Sequence, residues 1–191
     1  MKTRHTITAR SFQAIFLSLG IMVLSSHSVR ADFSGYYDPA NFTLTNTSAD
    51  GFIDTSSAPG AISLVGGSNG SGDPGTTDFT ILAPANGVVS FDWSYASLDL
   101  PLLDDAGFLL NGVYTELAAA DGLSGPFSIP VVAGDVFGFR VETVDNTEAP
   151  GIFTVSNFSG PTAAVPEAST LALIATGATS LLVIARRRKK D

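Results

Sequence analysis

Carboxylates are the side chains best placed to do chemistry in the interior of this 191-residue chain. Asp92, Asp99, Asp104 and Asp105 crowd one region, and Asp145 and Glu148 flank Asn146. Two acids facing a scissile bond can hydrolyse a glycoside. Grouped hard oxygen ligands can instead hold Ca²⁺, which takes roughly six to eight of them. The stretch "LDLPLLDDAGF" sets Asp99, Asp104 and Asp105 before a glycine in one predicted loop, and these three are the candidate calcium ligands. Their order is not the EF-hand pattern D-x-[DN]-x-[DN]-G, and a solvated acidic loop is the plainer reading of them.

Other chemistries are excluded by composition. From Asp32 to Ala164 the chain has no His, Cys or Lys. Ser-His-Asp and Cys-His catalysis therefore have no base, and His or Cys zinc sites have no ligands. "GGSNGSGDPG" is glycine-rich, but it lacks the lysine of a phosphate-binding loop. Arg140 is the one base in this span against sixteen acids, a net charge of −15. Such a surface repels nucleic acid. We read the body as non-catalytic, with no catalytic residues and no cofactor beyond the candidate calcium.

The elements that position these acids read as β. In "GVVSFDWSYAS", Val89, Phe91, Trp93 and Tyr95 alternate with Val88, Ser90, Asp92 and Ser94, the period of a half-buried strand. "GDVFGFRVET" puts Phe137, Phe139, Val141 and Thr143 on one face and Gly138, Arg140 and Glu142 on the other. "GAISLV", "DFTILA", "AGFLLNG", "PFSIPVV" and "GIFTVSNF" are weaker strand candidates, separated by Gly, Pro, Asp and Asn. "YTELAAADG" is the only helix-like stretch, short enough to be a turn instead, and residues 66–77 read as a mobile surface loop. The fold class is all-β: a single antiparallel β-sandwich or jelly-roll-like domain. Strand parity assigns Trp93 to the core rather than to a sugar-stacking face, while Tyr36 and Tyr37 read as freer to be exposed. The formal sequons at Asn41, Asn46, Asn69 and Asn157 carry little meaning here.

The two ends have a different composition. Lys2, Arg4 and Arg10 precede the apolar run "FQAIFLSLGIMVL", and Val29 and Ala31 occupy the −3 and −1 positions of a signal-peptide cleavage site before Asp32. At the other end, residues 168–185 carry no charge and would span about 27 Å as a helix, close to a hydrocarbon core of about 30 Å. The basic cluster that follows would stay cytoplasmic. The expected organisation is a signal peptide over 1–31, a β-sandwich ectodomain over 32–160 and a linker with a Pro-Glu motif over 161–167. One transmembrane helix over 168–185 and a basic tail over 186–191 complete it.

"VPEAST…ATGATSLLVIARRRKK" resembles the PEP-CTERM sorting signal of Gram-negative bacterial surface proteins. Val165, Pro166 and Glu167 fit its motif and Arg186, Arg187 and Arg188 its basic cluster, with Ala168 where the family usually carries a second proline. The resemblance implies a temporary membrane anchor, an exosortase-like sorting enzyme as partner, and delivery through the inner membrane to the cell surface or extracellular matrix. It also implies a setting of exopolysaccharide and biofilm. The order "VSFDWSY…DDAGFLLNG…SGPFSIPVVAGDVFGFRVETVDN…VSNF" is similar to a β-rich module recurring in bacterial exported proteins. The leading expectation is an exported structural or adhesive sandwich. The alternatives are a carbohydrate-binding module, calcium-dependent or not, and a polysaccharide hydrolase.

Overall fold

A computed structural model describes residues 32–99 and 103–162. The predicted signal peptide, transmembrane helix and basic tail lie outside the described residues. So do Val29, Ala31 and the sorting-motif residues Val165, Pro166, Glu167, Arg186, Arg187 and Arg188. Among the described residues no helix is long and apolar enough to cross a membrane.

Two short 3-10 turns (Gly35–Tyr37 and Pro39–Asn41) lead into ten strands. These are β1 (Thr43–Thr47), β2 (Phe52–Asp54), β3 (Ala61–Val65), β4 (Gly75–Leu82) and β5 (Gly87–Ala96), followed by β6 (Asp104–Leu110), β7 (Val113–Ala118), β8 (Ser124–Val131), β9 (Val136–Thr143) and β10 (Ile152–Ser159). They form two antiparallel five-stranded sheets, β1-β4-β9-β6-β7 and β2-β3-β10-β5-β8. Without β1 and β2, the orders β3-β10-β5-β8 and β4-β9-β6-β7 are those of an eight-stranded jelly roll. β1 and β2 add one edge strand to each sheet.

Alternation along β5 and β9 drives the sandwich. Phe137, Phe139 and Val141 are buried, as are Val89, Phe91 and Tyr95, and they meet Phe79, Phe108, Phe153 and Phe158 between the sheets. Phe91 meets Phe139 edge-on at 5.2 Å, and Phe108 lies 4.9 Å from Phe127. In a domain with no cysteine, this aromatic interior supplies the cohesion that disulfides give many small secreted domains. Trp93 sits on the inner side as its parity predicts, half-buried and stacked 6.0 Å from Phe153.

Three expectations are corrected. The helix-like "YTELA" is strand β7, paired with β6 through a two-residue turn. Asn111 and Gly112 both have positive φ (51° and 79°), the geometry of a tight hairpin turn, so hairpin pairing overrides local helix propensity. Tyr37 is not exposed: it is wholly buried, and its hydroxyl donates to Pro161 O at 2.6 Å, tying the start of the body to its end. Tyr36 is the exposed member of the pair.

The segment 66–77 is not a free loop. Its last residues, Gly75 to Thr77, belong to β4, and the rest is fastened to the β9–β10 connection. Gly66 N–H donates to Gly151 O (2.8 Å) and Gly70 N–H to Asn146 O (2.7 Å). The buried Asn146 amide donates to Asp73 O (2.7 Å) and Ser48 O (3.0 Å). A Cβ at Gly67 would collide with Asn146 Oδ1, and one at Gly75 would lie 2.6 Å from its Nδ2. Glycine is required there by close packing around one asparagine.

Candidate functional site

The outer face of β2-β3-β10-β5-β8 is paved with short polar side chains. Register places Asp54, Ser63, Thr154, Ser94 and Ser124 in one row across all five strands. The next row holds Ala61, Ser156, Asp92 and Pro126, and Ser90 faces Ser128 beyond it. Neighbouring strands stand about 4.8 Å apart, so the hydroxyls form a ladder on a rigid backbone. Ser63 Oγ and Thr154 Oγ1 already share a hydrogen bond at 2.8 Å.

A groove of 320 Å³ opens on this face, lined by Ser90, Asp92, Pro126, Ser128 and Asn157 over the backbone of Phe91 and Phe127. Asn157 sits where the β10–β5 register shifts, in the left-handed region (φ 49°) that asparagine tolerates. From that bulge its Nδ2 reaches Asp92 Oδ2 at 2.8 Å. Both residues are exposed. The groove thus combines a carboxylate, an amide and two hydroxyls.

The edge beside the groove is closed to other strands. Tyr95 N–H donates to Leu123 O (2.8 Å), so the odd-numbered β8 residues make the hydrogen bonds to β5. Pro126 and Pro130 fall on the even set and turn their missing N–H positions to the open edge, which blocks further pairing. A larger hollow of 620 Å³ lies between the N-terminal turns and the β2–β3 connection, lined by Phe33, Asp38, Ile53, Ala58 and Pro59 among others. It offers fewer polar groups, and Asp38 Oδ1 already accepts Ala40 N–H (2.9 Å).

The opposite outer face is self-contained. Arg140 on β9 gives two hydrogen bonds to Asp78 (2.6 and 2.7 Å) and one to Glu142 (3.0 Å). Its guanidinium lies 5.7 Å from the centre of the Tyr114 ring, and Tyr114 hydroxyl donates to Asp105 Oδ1. The Asp78 carboxylate holds the Arg140 pKa up against burial. A Cβ on Gly107 would strike Thr115 O and lie 2.9 Å from the Tyr114 ring, so the ring lies over glycine.

The three candidate calcium ligands are not brought to one point. Asp104 and Asp105 are adjacent on β6, so their side chains leave opposite faces of the sheet. Asp104 is buried and its Oδ2 accepts Gly151 N–H at 2.8 Å. Desolvation pushes its carboxyl pKa up and the charges of Asp99 and Asp145 add to this, against the Thr143 hydroxyl and Gly151 N–H. Asp105 is raised first by desolvation, then by Glu142, Glu116 and Asp104, with the Tyr114 hydroxyl opposing. Among the described residues no three Asp or Glu side chains are grouped to hold a metal. Of the predicted cleavage-site residues only Asp32 is described, as the first residue of the body. The Asp92–Asn157 pair escaped sequence reasoning; an asparagine inside a strand pattern was its one visible mark.

No protein-family model and no curated protein matches the sequence. Among solved structures, the chain is similar to a carbohydrate-binding module described for promiscuous specificity in the β-sandwich superfamily. That match has 14% identity and a TM-score of 0.43, covering 70% of this chain and 62% of that one. A family 35 carbohydrate-binding module from Clostridium thermocellum matches at 15% identity and TM-score 0.36 (64% and 95% covered). The secreted serine protease VesC from Vibrio cholerae matches at 11% and 0.37; the match takes in 52% of this chain but only 21% of the protease.

Proposed function

We propose that this sandwich is a non-catalytic glycan-binding module, with its ligand lying along the outer face of β2-β3-β10-β5-β8 and seated in the Asp92–Asn157 groove. The observation that supports this is the groove's lining. Planar acid and amide groups beside serine hydroxyls match the alternating donors and acceptors of a sugar ring, and short side chains on a sheet lose little entropy on binding. A groove of this size lies at the lower end of ligand-site volumes. A hydrolase needs two acids across one groove; of the residues lining the two hollows, Asp38 is the one acid in the larger and Asp92 the one in the smaller.

A glycan array of the 32–162 body tests this. Binding should fall at least about tenfold on combining Asp92→Ala with Asn157→Gly, which keeps the backbone conformation at 157. The melting temperature should stay unchanged. Binding that survives the double variant would remove the groove from the proposal.

Delivery is the second part of the proposal: export by the N-terminal signal, temporary anchoring by residues 168–185, and processing near Pro166 and Glu167 by an exosortase-like enzyme. The exopolysaccharide of the matrix is then the natural ligand. Its support is the order of motif, apolar run and basic cluster. Replacing Arg186, Arg187 and Arg188 by glutamine in the native host should shift the protein out of the surface fraction. Intact-mass analysis that finds Met1 and Asp191 both present on cytosolic protein would overturn it.

A further inference from the structure

Resting on the glycan reading, we infer that the groove selects a polymer of amino sugars bearing free, protonated amines, rather than a neutral or uronic-acid polysaccharide. Charge complementarity at a defined place supports this. Arg140 is the only Lys or Arg among the described residues, and it belongs to the other sheet, committed to Asp78 and Glu142. The face that carries the groove therefore has no cation of its own. It presents Asp92 at the groove and Asp54 at the far end of the hydroxyl row.

A uronate or sulfated chain laid along this face would meet like charge with nothing to offset it. A neutral sugar would satisfy Ser90, Ser128 and Asn157 but leave the Asp92 charge without a counter-ion. An ammonium beside Asp92 Oδ1 completes the set: Oδ2 already takes the Asn157 amide, and the second oxygen accepts a charge-assisted N–H. The remaining hydroxyls of the sugar face the two serines. A module with a net charge of −15 would thus be held in a matrix through the matrix's cationic component.

The test compares chitosan oligosaccharides with their fully N-acetylated counterparts, cello-oligosaccharides and alginate oligomers on the intact 32–162 body, at low and high salt. Two single-charge variants accompany it: Asp92→Asn in the groove, and Asp73→Asn at an exposed site on the β3–β4 connection. The expected result is about fivefold to tenfold tighter binding of the deacetylated oligomer at low salt, weakening as salt rises. Asp92→Asn should remove this preference and keep residual affinity for the acetylated oligomer; Asp73→Asn should keep it. Equal loss in both variants would mean that the whole acidic surface, not the groove, attracts the amine, and would overturn the inference. So would equal binding of acetylated and deacetylated oligomers, or tighter binding of alginate, either of which leaves the glycan reading standing. No binding to any of the four would overturn both.

Discussion

The two outer faces of the sandwich are both polar but are organised differently. On β4-β9-β6-β7, carboxylates gather around one arginine and one tyrosine, and the polar groups answer one another: Arg140 with Asp78 and Glu142, Tyr114 with Asp105. On β3-β10-β5-β8, the polar groups are short, lie in register across strands, and meet no cation. The first face reads as structure, because breaking any member strands another. The second is the face to which we assign recognition, because its groups are oriented by the backbone and turned to solvent. Acid count alone would not separate the two; the position of one guanidinium does.

The largest effect should come from opening the closed face. Arg140→Met keeps the apolar stem over Tyr114 but leaves the half-buried Asp78 carboxylate without its two charge-assisted hydrogen bonds. Losing such a partner costs about 2–3 kcal/mol, read as a lower denaturation midpoint with an unchanged slope. Combining it with Asp78→Asn should recover part of the loss. On the open face, Asp92→Asn should move stability by less than about 0.5 kcal/mol. Equal costs on the two faces would erase the distinction.

Much of the fold was legible because its central strands are half-buried. β5 and β9 alternate strictly, and Asn111-Gly112 announces its hairpin. β1 ("TLTNT") and β2 ("FID") were not read, because they are short edge strands without an apolar stripe. β7 was misread because Glu, Leu and Ala favour helices until a partner strand is present. The groove was less legible still. Asp92 stands out in the sequence, but Asn157 is remote in the chain and meets it only through a bulge in β10. Cross-strand neighbours depend on register, which alternation within one strand does not specify. The same limit explains the candidate calcium set: "DD" looks like a cluster in sequence, and a strand sends its two members to opposite sides.

That separation sharpens into a smaller, pH-dependent effect. The Asp104 and Asp105 carboxyls are both raised, chiefly by desolvation. In the window between the unfolded value, about 3.9, and the raised folded value, the native state binds more protons than the unfolded chain. Stability therefore falls as pH rises through that window. Asp54 is lowered by hydrogen bonds from Ser56, and Asp135 by Asn111 and the Val132 N–H; their contribution is present above about 3.9 and lost below it. The melting temperature should thus rise as pH falls into that window and fall again in acid below about 3.9. Asp104→Asn can still accept Gly151 N–H while shedding the buried charge. It should raise stability at neutral pH, where the parent carries the desolvated charge, and flatten the rise. A melting temperature that falls steadily from neutral downward would contradict this account. A calcium-induced increase present in the parent and absent in Asp104→Asn would place an ion beside Asp104, with Asp105 on the far side of the sheet taking no part.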